Sequence, residues 1–305
     1  MIKFETIKIQ LGKKKVKNRI LEKEFKLKKN SIIEKTGIIK RYIADFSQTS
    51  ESIAINCCKK INYNSLKKIT HILSVSNTPY HSFPSIAHFI FSKLNLNKNV
   101  NCIGINSGCS GYVDALNIAY DIIKSDKKST VLLTTSDTYS KFIKNNDKYL
   151  KCLFSDGGSA TLISYAKNGW IRKKRYSETI VNSQKNLIMG SLNKRKRYIT
   201  MDGPEIVAFA IKKVIPKLKE FINSNTNGIL IHQAGKIVID LVMKSIANKK
   251  NLYIPCNYKN FGNLVSTSIP LVFYQNFKRI NSLKEIILCG FGVGLTHSYI
   301  KFVKN

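Results

Sequence analysis

From residue 69 to the C-terminus, short apolar runs alternate with amphipathic helical stretches. Ile69–Ser76 (ITHILSVS) predicts a buried strand, and Pro84–Leu94 predicts a helix with Ile86, Phe89, Ile90 and Leu94 on one face. Val100–Ile105 predicts a second strand. A glycine-flanked turn at Cys109 follows, then a helix over Tyr112–Ser125 with Val113, Leu116, Ala119, Ile122 and Ile123 on its apolar side. Thr130–Ser136 and Ala160–Tyr165 predict two more strands, and the basic stretch around 168–200 reads as loop-rich. The pattern resumes with a helix over Pro204–Asn223, a strand at Gly228–His232, helices at Lys236–Ala247 and Ser266–Phe277, and strands at Glu285–Cys289 and His297–Val303. Such alternation predicts α/β layers with helices on both faces of a sheet. The two halves echo each other: each has a strand that ends in a reactive residue and runs directly into a helix.

Length and composition fit a globular chain. The 305 residues, 43% hydrophobic and 10% aromatic, suffice for a large core in one domain or two tightly joined halves. No apolar run approaches the roughly 20 residues of a membrane span. Met1-Ile2-Lys3-Phe4-Glu5 lacks the features of a signal peptide, so the expected location is cytoplasmic. Seven cysteines are scattered at 57, 58, 102, 109, 152, 256 and 289 with no C-x-x-C pair, which argues against zinc or thioredoxin-type chemistry.

The net charge of +33 first suggests nucleic acid. However, the lysines are spread along the whole chain. The densest runs, Lys13-Lys14-Lys15, Arg172-Lys173-Lys174-Arg175 and Lys194-Arg195-Lys196-Arg197, carry no RNA-binding signature. An acidic protein or a phosphorylated ligand is the better-matched partner, and the remaining charge is solubilising surface.

Three residues stand where a nucleophile and its helpers belong. Cys109, in Ser107-Gly108-Cys109-Ser110-Gly111, joins a buried strand to a helix N-terminus, whose free N–H groups favour a thiolate of lowered pKa. His232 ends a strand, where sites collect in α/β folds. Asn263 follows Gly262 and leads into a helix of small and apolar residues. Taken singly they also fit a buried structural cysteine, a core histidine and a turn or cap residue. Cys289-Gly290-Phe291-Gly292-Val293-Gly294 has the look of a phosphate loop, but no βαβ unit follows it. Its glycines are expected to let backbone N–H groups reach an oxyanion.

Together these segments resemble the β-ketoacyl-[acyl-carrier-protein] synthase III family of the thiolase-like superfamily. The resemblance rests on Thr36-Gly37-Ile38 with Arg41 and Ala44, His81-Ser82-Phe83-Pro84, Cys109 with its glycines, and Phe154-Ser155-Asp156-Gly157-Gly158-Ser159-Ala160. It continues through Met201-Asp202-Gly203-Pro204-Glu205, Ile231-His232-Gln233-Ala234, Gly262-Asn263 and Gly290–Thr296. It implies a thiolase-like α/β fold layered α-β-α-β-α, with an N-terminal half over 1–165 carrying the cysteine and a C-terminal half over 166–305 carrying the histidine and asparagine. It also implies that acyl-CoA acylates Cys109 and that malonyl-[acyl-carrier-protein] then condenses with the acyl group. His232 and Asn263 would stabilise the enolate, and the N–H groups of Cys109 and Val293 would form the oxyanion site. Phe83, Lys236 and Gly292 would contact substrate. The implied assembly is a homodimer, with Phe83 near the neighbouring pocket, and the chemistry needs no metal or redox cofactor.

The sequence departs from the family in three places, the first being the N-terminal glycine-containing turn, where Ile9-Gln10-Leu11-Gly12 is followed by lysines. The aromatic expected against the coenzyme A adenine corresponds to Ile32, and Gly235 and Ile237 replace the usual Asn and basic residue after Ala234. Two other functions are consistent with the fold: an acyltransferase to an oxygen or nitrogen nucleophile, and a catalytically silent partner of another synthase.

Overall fold

The computed structural model describes residues 1–96, 98–190, 197–249 and 251–305. Of the basic run at 194–197, only Arg197 falls among them. Nine strands form one sheet: β1 (Ile2–Leu11), β2 (His71–Val75), β3 (Asn101–Ile105), β4 (Thr130–Asp137), β5 (Gly157–Tyr165), β6 (Trp170–Thr179), β7 (Gly228–Ile231), β8 (Glu285–Gly292) and β9 (Thr296–Lys304). Their order is β7-β8-β9-β6-β1-β5-β4-β2-β3. Only the pairing of Ile2 with Trp170 joins β1 to β6, so the sheet is two half-sheets meeting at a seam.

The half-sheets repeat one plan. In the first, β2 is parallel to β4, β4 antiparallel to β5, and β5 antiparallel to β1. In the second, β7 is parallel to β8, β8 antiparallel to β9, and β9 antiparallel to β6. Outside β2 lies parallel β3, and in the matching place outside β7 a single parallel bridge joins Tyr253 to Gly228. The helices correspond as well. The chain runs β2, α1 (Ile86–Leu94), β3, α2 (Gly111–Ser125), β4, and later β7, α3 (Lys236–Ser245), Tyr253, α4 (Ser268–Gln275), β8.

Helices α2 and α4 form the shared middle layer. Helix α2 packs on β2 and β4 of one half and on β8 and β9 of the other, while α4 packs on β7 and on β1 and β5. Tyr112, Val113, Leu116 and Ala119 of α2 share a core with Ile269, Val272 and Phe273 of α4 and with Leu230, Ile286 and Leu288. Both helices begin in a 3-10 turn, Gly108–Ser110 and Val265–Thr267, and these two turns touch. The duplication therefore brings the Cys109 turn against the segment that follows Asn263.

Three expectations change. The basic stretch is not all loop, because Trp170–Thr179 is a ten-residue strand. Two of its cations lie over aromatic rings: Arg172 sits 4.5 Å from the Tyr120 ring and Lys174 4.5 Å from that of Phe221. Second, the helix expected over 204–223 is interrupted. Pro216 has no N–H for the Lys212 carbonyl, and the chain opens into a π turn at Ala210–Val214 between helical turns at Gly203–Phe209 and Ile215–Phe221. Third, β1 precedes every strand expected from the pattern. Among the described residues no helix is long and apolar enough to cross a membrane.

Candidate active site

A cavity of about 290 Å³ is lined by Cys109, His232, Asn263, Phe291 and Gly292, with Lys35, Thr36 and Lys236 also in its wall. The three polar groups that the sequence singles out thus converge, although 31 residues separate the last two and 123 the first two.

Cys109 is buried in the 3-10 turn that opens α2. Gly108 makes the turn possible: its φ is +53°, and a Cβ there would stand 2.6 Å from both Asn77 Oδ1 and the Val293 side chain. The expected low thiol pKa is not what the structure gives. Burial pushes the thiol up to about 12, and the nearby Asp137 carboxylate pushes the same way. The N–H groups of Val293 and of Cys109 itself oppose this. Both therefore lie close to the sulfur.

Asp137 is itself buried at the end of β4, and its pKa rises to about 6 by desolvation. It accepts hydrogen bonds from the Asn77 N–H at 2.8 Å, Ser266 Oγ at 2.8 Å and Thr78 Oγ1 at 3.2 Å. Because Ser266 lies in the turn before α4, this carboxylate ties the two halves together beside the nucleophile.

His232 extends β7 by one rung, its N–H donating to Cys289 O at 2.9 Å. Its ring stands edge-on to Phe291, with centroids 5.3 Å apart. Burial lowers its pKa to about 3, against a smaller opposing pull from the Val265 carbonyl, so the ring is neutral at physiological pH. Nδ1 lies 2.7 Å from Ser268 Oγ.

Asn263 is pinned through its backbone. Its N–H donates to Leu153 O at 3.0 Å, and its carbonyl accepts from the Ser155 N–H at 2.8 Å. Its Oδ1 accepts the Val265 N–H at 2.9 Å, which turns Nδ2, a pure donor, to the other side. A neutral imidazole and an amide N–H₂ beside a cysteine form a constellation for acyl transfer with enolate stabilisation.

The other sequence candidates divide. Lys236 and Gly292 lie in the cavity wall, with Lys236 Nζ paired to Asp240 at 2.8 Å. Val293 has its N–H close to the sulfur, and with Gly294 it also lines a second cavity of about 320 Å³. Phe83 is outside its own chain's cavity and 86% exposed. Ile32 is buried with Val16, Leu21 and Cys152, so it offers no surface to a ligand. The exposed aromatic in the cavity wall is Tyr149, which sequence reasoning missed, as it did Ile206 and Val207. Met201 and Gly203 stand in that wall too. Ser268 was also missed, although its place one turn after Asn263 was visible.

Comparison with known proteins places the chain in a family. The family model described as 3-oxoacyl-[acyl-carrier-protein] synthase III matches residues 103–178, and the model for the C-terminal part of the same family matches residues 222–300. The β-ketoacyl-[acyl-carrier-protein] synthase III of Clostridium perfringens (strain SM101 / Type A) is 30% identical over 302 residues, covering 92% of each chain. That of Neorickettsia sennetsu is 27% identical over 305 residues, covering 96% of each. In fold, the crystal structure of the 3-oxoacyl-[acyl-carrier-protein] synthase III of Aquifex aeolicus VF5 superposes with a TM-score of 0.87 over 99% of this chain and 100% of that one, at 23% identity. With two family segments in order and a relative of this identity over nearly the full length, the chain belongs to the β-ketoacyl-[acyl-carrier-protein] synthase III family.

Proposed function

We propose that the protein is a decarboxylating condensing enzyme that joins an acyl group from an acyl-CoA to a malonyl thioester on acyl carrier protein. The observation that carries this is the Asn263 amide, oriented as a donor by Val265 in the same cavity as Cys109 and His232. Acyl transfer to an alcohol or amine has no use for it; an enolate does.

In the first step Cys109 sulfur attacks the thioester carbonyl and the N–H groups of Cys109 and Val293 receive the oxyanion. The C–S bond to coenzyme A breaks, and the thiol proton leaves with coenzyme A as its free thiol. In the second step malonyl thioester loses carbon dioxide. The electrons of the broken C–C bond form an enolate whose oxygen accepts from His232 and Asn263. The enolate carbon then attacks the acyl carbonyl, and Cys109 leaves as thiolate, to be reprotonated. The sequence balances without a metal or redox cofactor. Lys35 and Lys236 in the cavity wall, on a chain of net charge +33, suit a phosphorylated thioester and an acidic carrier protein.

The active assembly is a homodimer. Strand β3 is the free edge of the nine-stranded sheet, and the adjoining loop projects Tyr80 and Phe83 outward. Phe83 of one copy would reach the cavity behind Val293 of the other.

Intact-protein mass spectrometry after incubation with acyl-CoAs, then malonyl carrier protein, tests the reading. The expected result is a Cys109 acyl adduct that disappears as a 3-oxoacyl product forms. An adduct discharged only by alcohols or amines would replace condensation with simple acyl transfer.

A further inference from the structure

Ser268 is the first residue of α4 and is 1% exposed. Its Oγ lies 2.7 Å from His232 Nδ1, 3.0 Å from Val265 O and 3.3 Å from the Gln233 backbone N–H. The hydroxyl has one hydrogen and two acceptors within reach. If it donates to Val265 O, it accepts from His232 Nδ1–H, and the neutral ring is left with a bare Nε2. If it donates to Nδ1, the ring hydrogen sits on Nε2. Since Nδ1 is held by Ser268, Nε2 is the nitrogen left for the cavity, and only the second arrangement lets it donate there.

Two features favour the second arrangement. The Val265 carbonyl already accepts the backbone N–H of Ser268, which closes the 3-10 turn before α4. It also faces the ring, whose pKa it pulls upward, and the Ser268 hydroxyl at 3.0 Å, but the backbone donor keeps it paired when the hydroxyl turns to Nδ1. The 2.7 Å separation is that of a well-formed hydrogen bond and accommodates a hydroxyl donor. The Gln233 N–H then supplies the hydroxyl oxygen with its own donor, so every group in the network is matched.

We propose that Ser268 is a positioning residue for the condensation: its hydroxyl donates to His232 Nδ1 and holds the neutral imidazole as the Nε2–H tautomer. That is the form able to donate to the oxygen of a thioester enolate. The inference rests on the condensing function and adds how this chain prepares His232 for it.

The test is ¹⁵N NMR of the full chain labelled at histidine, with His232 assigned by its loss in His232→Gln, alongside decarboxylation of malonyl carrier protein. The wild type is expected to carry its hydrogen on Nε2 at neutral pH. Ser268→Ala is expected to shift His232 toward Nδ1–H and to lower the decarboxylation kcat by about 10- to 100-fold, less than outright loss of an oxyanion donor, with KM little changed. Ser268→Thr, which keeps the hydroxyl, is expected to restore both. A wild-type ring protonated on Nδ1 would overturn the proposal, as would an alanine variant that keeps both tautomer and rate. Should the alanine variant not fold, the wild-type and threonine spectra still decide. If the wild type releases no carbon dioxide from malonyl thioesters, the condensing function fails, and the spectrum separately decides the tautomer.

Discussion

Gly292 stands so close to Cys109 that a Cβ added to it would lie 2.8 Å from the Cys109 Cβ and 2.9 Å from the sulfur. Real Cβ atoms do not approach that closely, and the neighbour here is the short side chain of the nucleophile itself, with no length to swing away. Gly292 also has a φ of +154°, a conformation side chains rarely adopt, so Gly292→Ala is expected to lose some stability and most of its acylation. The sulfur is displaced from the Val293 N–H, and misplacement on the order of 1 Å costs about 100-fold. Adduct formation with an acyl-CoA, timed by mass spectrometry on a variant with native circular dichroism, measures this. Wild-type labelling rates would remove the close approach from the account of reactivity.

Asn263→Asp separates the two steps. The substitution keeps the acceptor for the Val265 N–H, so the turn before α4 retains its hydrogen bond. It replaces the only donor of the amide with a carboxylate oxygen that repels the enolate. Decarboxylation is expected to fall by at least about 100- to 1000-fold, while the rate at which Cys109 is acylated changes far less. Equal losses in the two half-reactions would deny Asn263 a role confined to the enolate.

Much of the architecture was legible because buried strands here are uninterrupted apolar runs and helices carry clear 3.6-residue stripes. The nucleophile was legible because glycines flank it at a strand–helix junction. What escaped had definite causes. In β1 the register shifts between Phe4 and Thr6, so buried Ile2 and Phe4 fall on one parity and buried Ile7 on the other, and a search for strict alternation fails. In β6 two of the basic residues that signalled a loop, Arg172 and Lys174, lie over aromatic rings, and Arg175 pairs with Asp121. Ile32 fell at a family position by its place shortly before Thr36-Gly37-Ile38, but helix Ser31–Thr36 turns it into a small core. The direction of the Cys109 pKa shift was misjudged because a helix N-terminus can be read from sequence whereas burial cannot. Tyr149 and Ser268 gained their meaning only when distant elements met.

Those shifts make opposite demands on pH. His232 falls from 6.5 to about 3, so between those values the unfolded chain binds a proton that the folded chain refuses. Its contribution to stability is complete above 6.5 and is lost as pH falls. Cys109 rises from 9.0 to about 12, so its contribution is complete below 9.0 and is lost as pH climbs. Asp137, raised to about 6, works against His232 in the acid range, because its contribution belongs to low pH and fades as pH approaches 6. The clean readout is thus a difference: Tm of His232→Gln is expected to fall less than that of the wild type between pH 7 and 5. Cys109→Ala is expected to fall less between pH 9 and 11. Alkylation of Cys109 by a small electrophile should rise about tenfold per pH unit through pH 7–9 without a plateau. A plateau near neutrality would mean that the N–H groups of Val293 and Cys109 outweigh desolvation.

The dimer prediction turns on Phe83. A phenylalanine that is 86% exposed buries little apolar area in its own chain, and its loop adjoins β3, whose outer edge offers unpaired backbone groups. Glu51 stiffens that loop by accepting the N–H groups of Tyr80 at 2.8 Å and His81 at 3.0 Å, and His81 stacks on Phe89 at 4.7 Å. A held, projecting aromatic is the form of an interface anchor. Sedimentation equilibrium is expected to give twice the chain mass at micromolar concentration. Phe83→Asp, which places a charge where the partner should close over the ring, is expected to weaken association at least about 30-fold, corresponding to the roughly 2 kcal/mol of an anchoring residue. A monomeric wild type would end the dimer proposal. A dimer indifferent to Phe83→Asp would keep β3 at the interface and remove Phe83 from it, and the cavity behind Val293 would then have to be closed by the acyl chain alone.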